Sequence, residues 1–399
     1  MIISLTTSNY RSIRDEQTLN LSAENLSDVH QGNFVLADAK EKTAVLRSAG
    51  LWGPNASGKS NVLLALKELV ELVSGSHSYE LDQPIKAFHP FLLDDGHAQS
   101  PVSFELEFIG RDGLRYIYTI EFTVKSIVHE TLLFYPGAKP ARLFERTQEG
   151  ITFGAKLSGL RQIPYRENQS YLSMAAQHQQ SSEQLKDVYR FIRDDIHIVA
   201  PGYGLVNNEL LNAASYRQSL ASLLSYADTG ITQVDFNEAR LPVFYHENSK
   251  QGFGLDDESA GTRRLYEIAP MLIYGLTRPG VWIVDELDCQ LHPRVAELIV
   301  MLFHDRRANK ANAQLIFTTH NTSLMSSDLF RRDQVWFTQK QDDGATVLVC
   351  LDEYGEVRGD TNFERWYRQG RFEAVPEVRY NELLALLNPE STKQGGDTR

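Results

Sequence analysis

Apolar residues in the first half of the chain recur mostly with a period of two. Ile3 and Leu5 open this pattern, and residues 18–21 read as the hairpin partner of that first strand. Short strands are predicted at 102–108, 116–124, 127–135 and 143–147. Phe104-Glu105-Leu106-Glu107-Phe108 alternates as a half-buried antiparallel strand does. A different signature marks the apolar segment 46–52 and the short apolar run 281–284, which read as strands, and 313–317, which reads as a buried strand. Further strands are predicted at 240–245, 335–338 and 346–351. Helical spacing governs 61–73, through Leu63, Leu64, Leu66, Leu69, Val70 and Val73. It returns at 259–274, with Leu265, Ile268, Met271 and Leu272 inward, and at 293–306. Residues 252–258 read as a polar loop, and from about 155 to 226 the pattern is helical and polar.

These elements predict an α/β fold: a core of buried strands and helices, a β-rich lobe and an inserted helical domain. The boundaries are drawn at 1–154 for the first half of the core with its β-rich lobe, 155–227 for the helical insertion and 228–388 for the second half. A frayed tail occupies 389–399. Within the insertion, Pro201-Gly202-Tyr203-Gly204 marks a turn, and the Gln-rich stretch around His178 reads as a solvated surface. No internal repeat or long heptad run is present.

Composition narrows the class. With 399 residues and a net charge of −12, no run of Lys or Arg dominates, which argues against nonspecific coating of nucleic acid. Cys289 and Cys350 have no Cys or His at zinc spacing, so both are expected to be reduced, buried thiols of a cytosolic protein. The N-terminus lacks the features of a signal peptide, and no stretch approaches the ~20 apolar residues of a membrane span. A cytoplasmic location without membrane contact is the expectation.

The chemistry concentrates in one stretch, Gly53-Pro54-Asn55-Ala56-Ser57-Gly58-Lys59-Ser60, which matches G-x-x-x-x-G-K-[ST] between a predicted strand and a predicted helix. The glycines let backbone N–H groups turn inward, and with the helix N-terminus these form a nest for phosphate oxygens. Lys59 would reach the β- and γ-phosphates of ATP, and Ser60 offers a hydroxyl to Mg²⁺. The strand 281–284 ends in Asp285 and Glu286. Beside a phosphate loop, Asp285 would hold the metal shell and Glu286 would act on the attacking water. The strand 313–317 leads to His320, whose imidazole can hydrogen-bond the γ-phosphate. Ser259 is a suitable N-cap for the helix that follows, and Ser259, Ala260 and Gly261 leave N–H groups open to an anion. Arg263 and Arg264 read as solvated surface.

In this order the motifs resemble the SMC/RecF-like branch of the ABC ATPases. Asn55 and Asn61 in G-P-N-A-S-G-K-S-N are similar to that branch, and Asn9-Tyr10-Arg11-Ser12-Ile13 resembles its N-terminal N-[FY]-R-S element. The resemblance implies an ABC-type P-loop core. It places Arg11 and Ser12 near the nucleotide, the signature at 258–262, Walker B at Asp285-Glu286 and the switch histidine at His320. Asp285-Glu286-Leu287-Asp288-Cys289-Gln290-Leu291-His292-Pro293 and the stretch from Asp333 to Phe372 resemble the RloA/AbiL-type defence ATPases, relatives of PARIS AriA and the OLD nucleases. Two departures stand out. The signature reads Ser-Ala-Gly where the family has Ser-Gly-Gly, and the family's Mg²⁺-reaching glutamine is not placed, the region near Pro90-Phe91 being where the resemblance would put it.

The resemblance implies a homodimer, or a higher oligomer, held by ATP. Each protomer would offer Ser259–Gly261 to its twin's γ-phosphate. It further implies a defence scaffold that regulates a separate RloB-like or TOPRIM-like nuclease. A RecF-like DNA-binding repair ATPase is the alternative. A stand-alone OLD-like nuclease is disfavoured, because no acid cluster follows His320 and Asp342-Asp343 reads as a hairpin turn.

Overall fold

In the computed structural model, residues 1–24, 26, 30–38, 43–159, 161–199, 214–227, 229–358, 361–376 and 379–387 are described. The turn expected at 201–204 and the tail at 389–399 lie outside them. Strands are numbered in chain order. The alternating segments build an antiparallel sheet from β1 (Ile2–Ser8), β2 (Gln17–Asn20), β6 (Val102–Ile109), β7 (Arg115–Phe122), β8 (Ile127–Tyr135), β9 (Ala141–Thr147) and β10 (Gly150–Phe153). Its order is β10-β9-β8-β7-β6-β1-β2. Val102, Phe104, Leu106 and Phe108 of β6 are buried, while Ser103, Glu105 and Glu107 lie on the half-exposed face. This is the one-sided burial that a period of two encodes. β3 (Phe34–Asp38) and β4 (Thr43–Leu46) form a separate antiparallel pair.

The mainly apolar strand segments behave differently. β5 (Ser48–Trp52), β15 (Val281–Val284) and β16 (Gln314–Thr318) are buried at every position. They lie centrally in a six-stranded sheet with β11 (Ile196–Val199), β17 (Val335–Lys340) and β18 (Thr346–Cys350), in the order β11-β15-β16-β5-β17-β18. All neighbours are parallel except β17 and β18. Strands buried on both faces need cover on both faces. Ala49, Leu51, Val281, Ile283 and Ile316 join a core shared with the helix Lys59–Gly75 and the antiparallel sheet. Trp52, Trp282, Val284, Leu315 and Phe317 join a second core with the helices Ala260–Ile273 and Pro293–His304.

The helix after β5 buries Val62, Leu63, Ala65, Leu66, Leu69, Val70, Leu72 and Val73, whereas Leu64 is only half-buried. Each fully buried Val or Leu contributes about 1.5–3 kcal/mol. Leu66→Ala in this layer would cost about 2–5 kcal/mol.

Residues 155–227 differ from a purely helical insertion. Their helices Tyr171–Gln177 and Glu183–Arg190 pack into the first core through Leu172, Leu185 and Val188, and Ala214–Tyr226 packs into the second through Tyr216, Leu220 and Leu224. Between them runs β11, beside β15. Its four residues are too short to show a period, and Asp194 and Asp195 precede it. A short antiparallel sheet, β12 (Ile231–Phe236), β13 (Pro242–His246) and β14 (Gly252–Gly254), precedes the helix Ala260–Ile273. It occupies part of the stretch expected as a polar loop. His178 is exposed at the C-cap of its helix, and of the two free cysteines Cys350 is buried but Cys289 only half-buried. Among the described residues, no helix is long and apolar enough to cross a membrane.

Candidate functional site

The parallel strands open at their C-terminal ends onto one edge, the usual crevice of an open α/β sheet. Three neighbours there, β5, β16 and β15, lead into residues 53–58, His320 and Asp285-Glu286. Adjacency in the sheet, not in sequence, brings these groups together.

Residues 53–58 turn from β5 into a 17-residue helix whose N-cap is Gly58, at φ 103° and without a side-chain cap. The first N–H groups of a helix have no intrahelical acceptor, and here no capping side chain takes one. A side chain at Gly58 would also run into Thr346, and one at Gly53 into Thr338. Lys59 is buried, and its ammonium donates to the carbonyls of Gly53 (2.9 Å) and Pro54 (3.0 Å). Burial lowers its pKa, opposed by Asp285, Glu286 and Asp288. An uncapped helix N-terminus with a desolvated lysine beside it suits a polyanion. Asn55 and Ala56 are exposed at the loop's outer turn, and Ala56 is left-handed at φ 60°.

Asp285 is held from two sides. Its Oδ1 accepts from Ser60 Oγ (3.0 Å) and from Thr318 Oγ1 (2.6 Å). Thr318 Oγ1 in turn accepts from the amide of Glu286 (2.8 Å), which sits at φ 51°. Arg264, only 2 % exposed, donates to the carbonyls of Asp285 (3.1 Å) and Glu286 (3.2 Å). It is therefore not solvated surface: it lies on the inner face of its helix and braces the turn after β15. Asp288 Oδ1 is buried without a hydrogen-bond partner among the described residues. Cys289 lies against Glu286, and burial, then Glu286, raises its thiol pKa.

The N-terminal element meets the same loop. Asn61 Nδ2 donates to Ser12 Oγ (2.6 Å), and Thr346 Oγ1 lies 2.7 Å from Ser12 Oγ and 2.9 Å from the carbonyl of Ser57. Ser57 Oγ is 2.5 Å from Thr338 Oγ1. The β17–β18 hairpin thus supports the loop from below. Arg11, at φ 50°, lies against the Tyr10 ring and donates from Nε to Tyr10 OH (3.0 Å), while its amide bonds the carbonyl of His89. Asn9 ties the element to 91–101 by donating to the carbonyls of His97, Ser100 and Pro101 and accepting from the amide of Phe91. Only Gln83 and Gln99 flank this stretch, so no glutamine stands at Pro90-Phe91.

His320 is exposed just beyond β16, beside the loop and Asp285. Ser259 caps its helix by accepting from the amide of Thr262 (3.1 Å). Gly261 packs against the turn after β15, where an added Cβ would lie 3.0 Å from the carbonyl of Gln290. Ser259 is exposed, and Ala260 and Gly261 half-exposed.

Residues 48–326 match the family model described as "AAA domain, putative AbiEii toxin, Type IV TA system". The chain belongs to this AAA-domain family. No curated protein matches it. Among solved structures, it is similar to a crystal structure of "the SmcHead bound to the C-winged helix domain of ScpA", at 12 % identity and a TM-score of 0.49. The similarity covers 88 % of this chain and 99 % of that one.

This AAA-domain protein has an α/β core whose parallel strands lead into the phosphate-loop motif. The residues of its site suit Mg-ATP: Ser60 and Asp285 are oxygen donors hydrogen-bonded to each other that would hold a divalent ion, and the Lys59 ammonium hydrogen-bonds the loop carbonyls of Gly53 and Pro54, contacts that a phosphate can replace. Thr318, Thr338, Thr346 and Arg264 were not legible as site residues. Threonines in strands carry no motif. For Arg264 a signal existed: four residues before Ile268, it shares the buried helical phase.

Proposed function

We propose that this protein hydrolyses ATP and closes as a homodimer around it, acting as a sensor and scaffold that regulates a separate effector nuclease in anti-phage defence. The observation that carries the ATPase reading is the chain Ser60–Asp285–Thr318–Glu286 at the uncapped, lysine-bearing helix N-terminus. The defence reading is supported by the family description, which names an AbiEii toxin, and by the resemblance of residues 285–293 and 333–372 to RloA/AbiL-type ATPases.

In this mechanism the amides of 53–60, with Asn55, Ala56, Ser57, Gly58, Lys59, Ser60 and Asn61, cradle the triphosphate, and Arg11 and Ser12 flank it. Lys59 leaves the carbonyls of Gly53 and Pro54 for phosphate oxygens. Ser60 and Asp285 would hold Mg²⁺, which supplies charge neutralisation on the phosphates. Glu286, fixed by Thr318 and Arg264, orients the attacking water, and His320 contacts the γ-phosphate. Ser259, Ala260 and Gly261 of one protomer close the site of its twin, an arrangement supported by their exposure. Loss of the γ-phosphate contact then releases the pair.

Purified protein should hydrolyse ATP with Mg²⁺. Glu286→Gln should bind ATP and sediment as a dimer only when ATP is present. Full turnover in that variant, or ATP without effect on its sedimentation, would defeat the proposal.

A further inference from the structure

Outside the nucleotide pocket one buried carboxylate has a specific partner and a consequential neighbour. Glu258, whose side chain is 4 % exposed, accepts from His246 Nε2 at 2.7 Å. His246 ends β13, and Phe253 of β14 sets its ring edge against the imidazole at a centroid distance of 5.4 Å. The next residue after Glu258 is Ser259, whose hydroxyl caps the helix Ala260–Ile273. On its other side Gly261 abuts the backbone of Gln290. The 259–261 turn is thus fixed between the small β12–β14 sheet and the turn after β15. His246, Glu258, Ser259, Gly261, Gln290 and His292 line one open groove of about 370 Å³.

We infer that His246 is a positioning residue for ATP hydrolysis that works through Glu258 to set the Ser259–Gly261 turn. This rests on the reading that the turn serves the partner's nucleotide. A buried carboxylate is stable only with a hydrogen-bonded or charged partner. Without the imidazole, Glu258 turns toward water and carries Ser259 with it. The phosphate loop lies elsewhere, so nucleotide binding within the same protomer stays intact. The damage falls on the neighbouring protomer's site. A misplacement of about 1 Å in such a group costs about 100-fold in rate.

The test compares full-length His246→Ala and His246→Gln with wild type, measuring kcat, ATP affinity and complementation. His246→Ala should lose about 10- to 100-fold in kcat with ATP affinity unchanged. His246→Gln keeps an N–H donor and should recover most of the rate. Mixing His246→Ala with Lys59→Ala should restore activity above either alone, because the Lys59→Ala protomer supplies an intact 259–261 turn to a working phosphate loop. Wild-type kcat in His246→Ala, a loss that His246→Gln does not repair, or no restoration in the mixture would each overturn the inference. If Glu286→Gln fails to dimerise with ATP, the underlying dimer reading has failed. If it dimerises and His246→Ala is fully active, only the role of His246 has failed.

Discussion

The two ends of the parallel strands treat buried polar groups in opposite ways. At the N-terminal ends they close on one another. His304 Nε2 lies 2.7 Å from Ser48 Oγ, and Gln334 Nε2 donates to the Ser48 carbonyl at 2.9 Å. Gln334 Oε1 accepts from Asn33 (2.7 Å) and from the amide of Arg331 (3.0 Å). Gln314 bonds both backbone groups of Ile2, accepting at 2.8 Å and donating at 3.0 Å. Burial pushes the His304 pKa down to about 3, so its ring is neutral at pH 7. At the C-terminal ends the matching groups are left provisional. Lys59 borrows loop carbonyls, Gly58 gives its helix no side-chain cap, and Asp288 Oδ1 has no hydrogen-bond partner among the described residues. Buried polar atoms need partners. Among the described residues the groups at one end, Arg47 Nε apart, find them within the chain; at the other, we propose, a ligand completes them.

Substitutions at the two ends should therefore separate activity from stability. The largest effect is expected for Glu286→Gln: turnover falls about 10²–10⁴-fold in a steady-state ATPase assay, with the unfolding midpoint unchanged. Gln334→Ala should do the reverse. It orphans several buried partners, costing about 2–4 kcal/mol in denaturant titration, while the folded protein keeps its ATP affinity. Thr318→Val removes one hydroxyl between Asp285 and Glu286 at nearly constant volume, and kcat should fall about tenfold. The smallest effect is in pH. The folded state holds His304 neutral down to about pH 3, whereas the unfolded state protonates it near 6.5. The unfolded chain binds the extra proton in that window, so stability falls as pH drops. This one group contributes about 1 kcal/mol between pH 6.5 and 5.5, and His304→Gln should flatten that slope in urea titrations at the two pH values.

How much of this was readable from the chain divides along similar lines. An unbroken apolar run announced β15, and mainly apolar segments announced β5 and β16, whose Ser48, Gln314 and Thr318 are buried with hydrogen-bond partners. Alternation announced β6 and its neighbours. The residues ending those strands followed from the phosphate-loop motif and the paired acids. What stayed hidden depends on neighbours distant in sequence. Thr318 becomes a site residue only because β16 lies beside β15, and Thr346 only because β18 returns beneath the loop. β11 is four residues without a period, so its place beside β15 came from the fold. His246 is unremarkable until Glu258 is buried against it.

We propose that nucleotide completes the provisional groups at the C-terminal edge. Thermal unfolding with and without Mg-ATP, on wild type and Lys59→Ala, tests it most directly. A ligand at a hundred times its Kd adds about 2.7 kcal/mol. Wild type should gain several degrees in Tm at saturating Mg-ATP, and Lys59→Ala should gain none. Equal gains in both proteins, or no gain in wild type, would contradict the account.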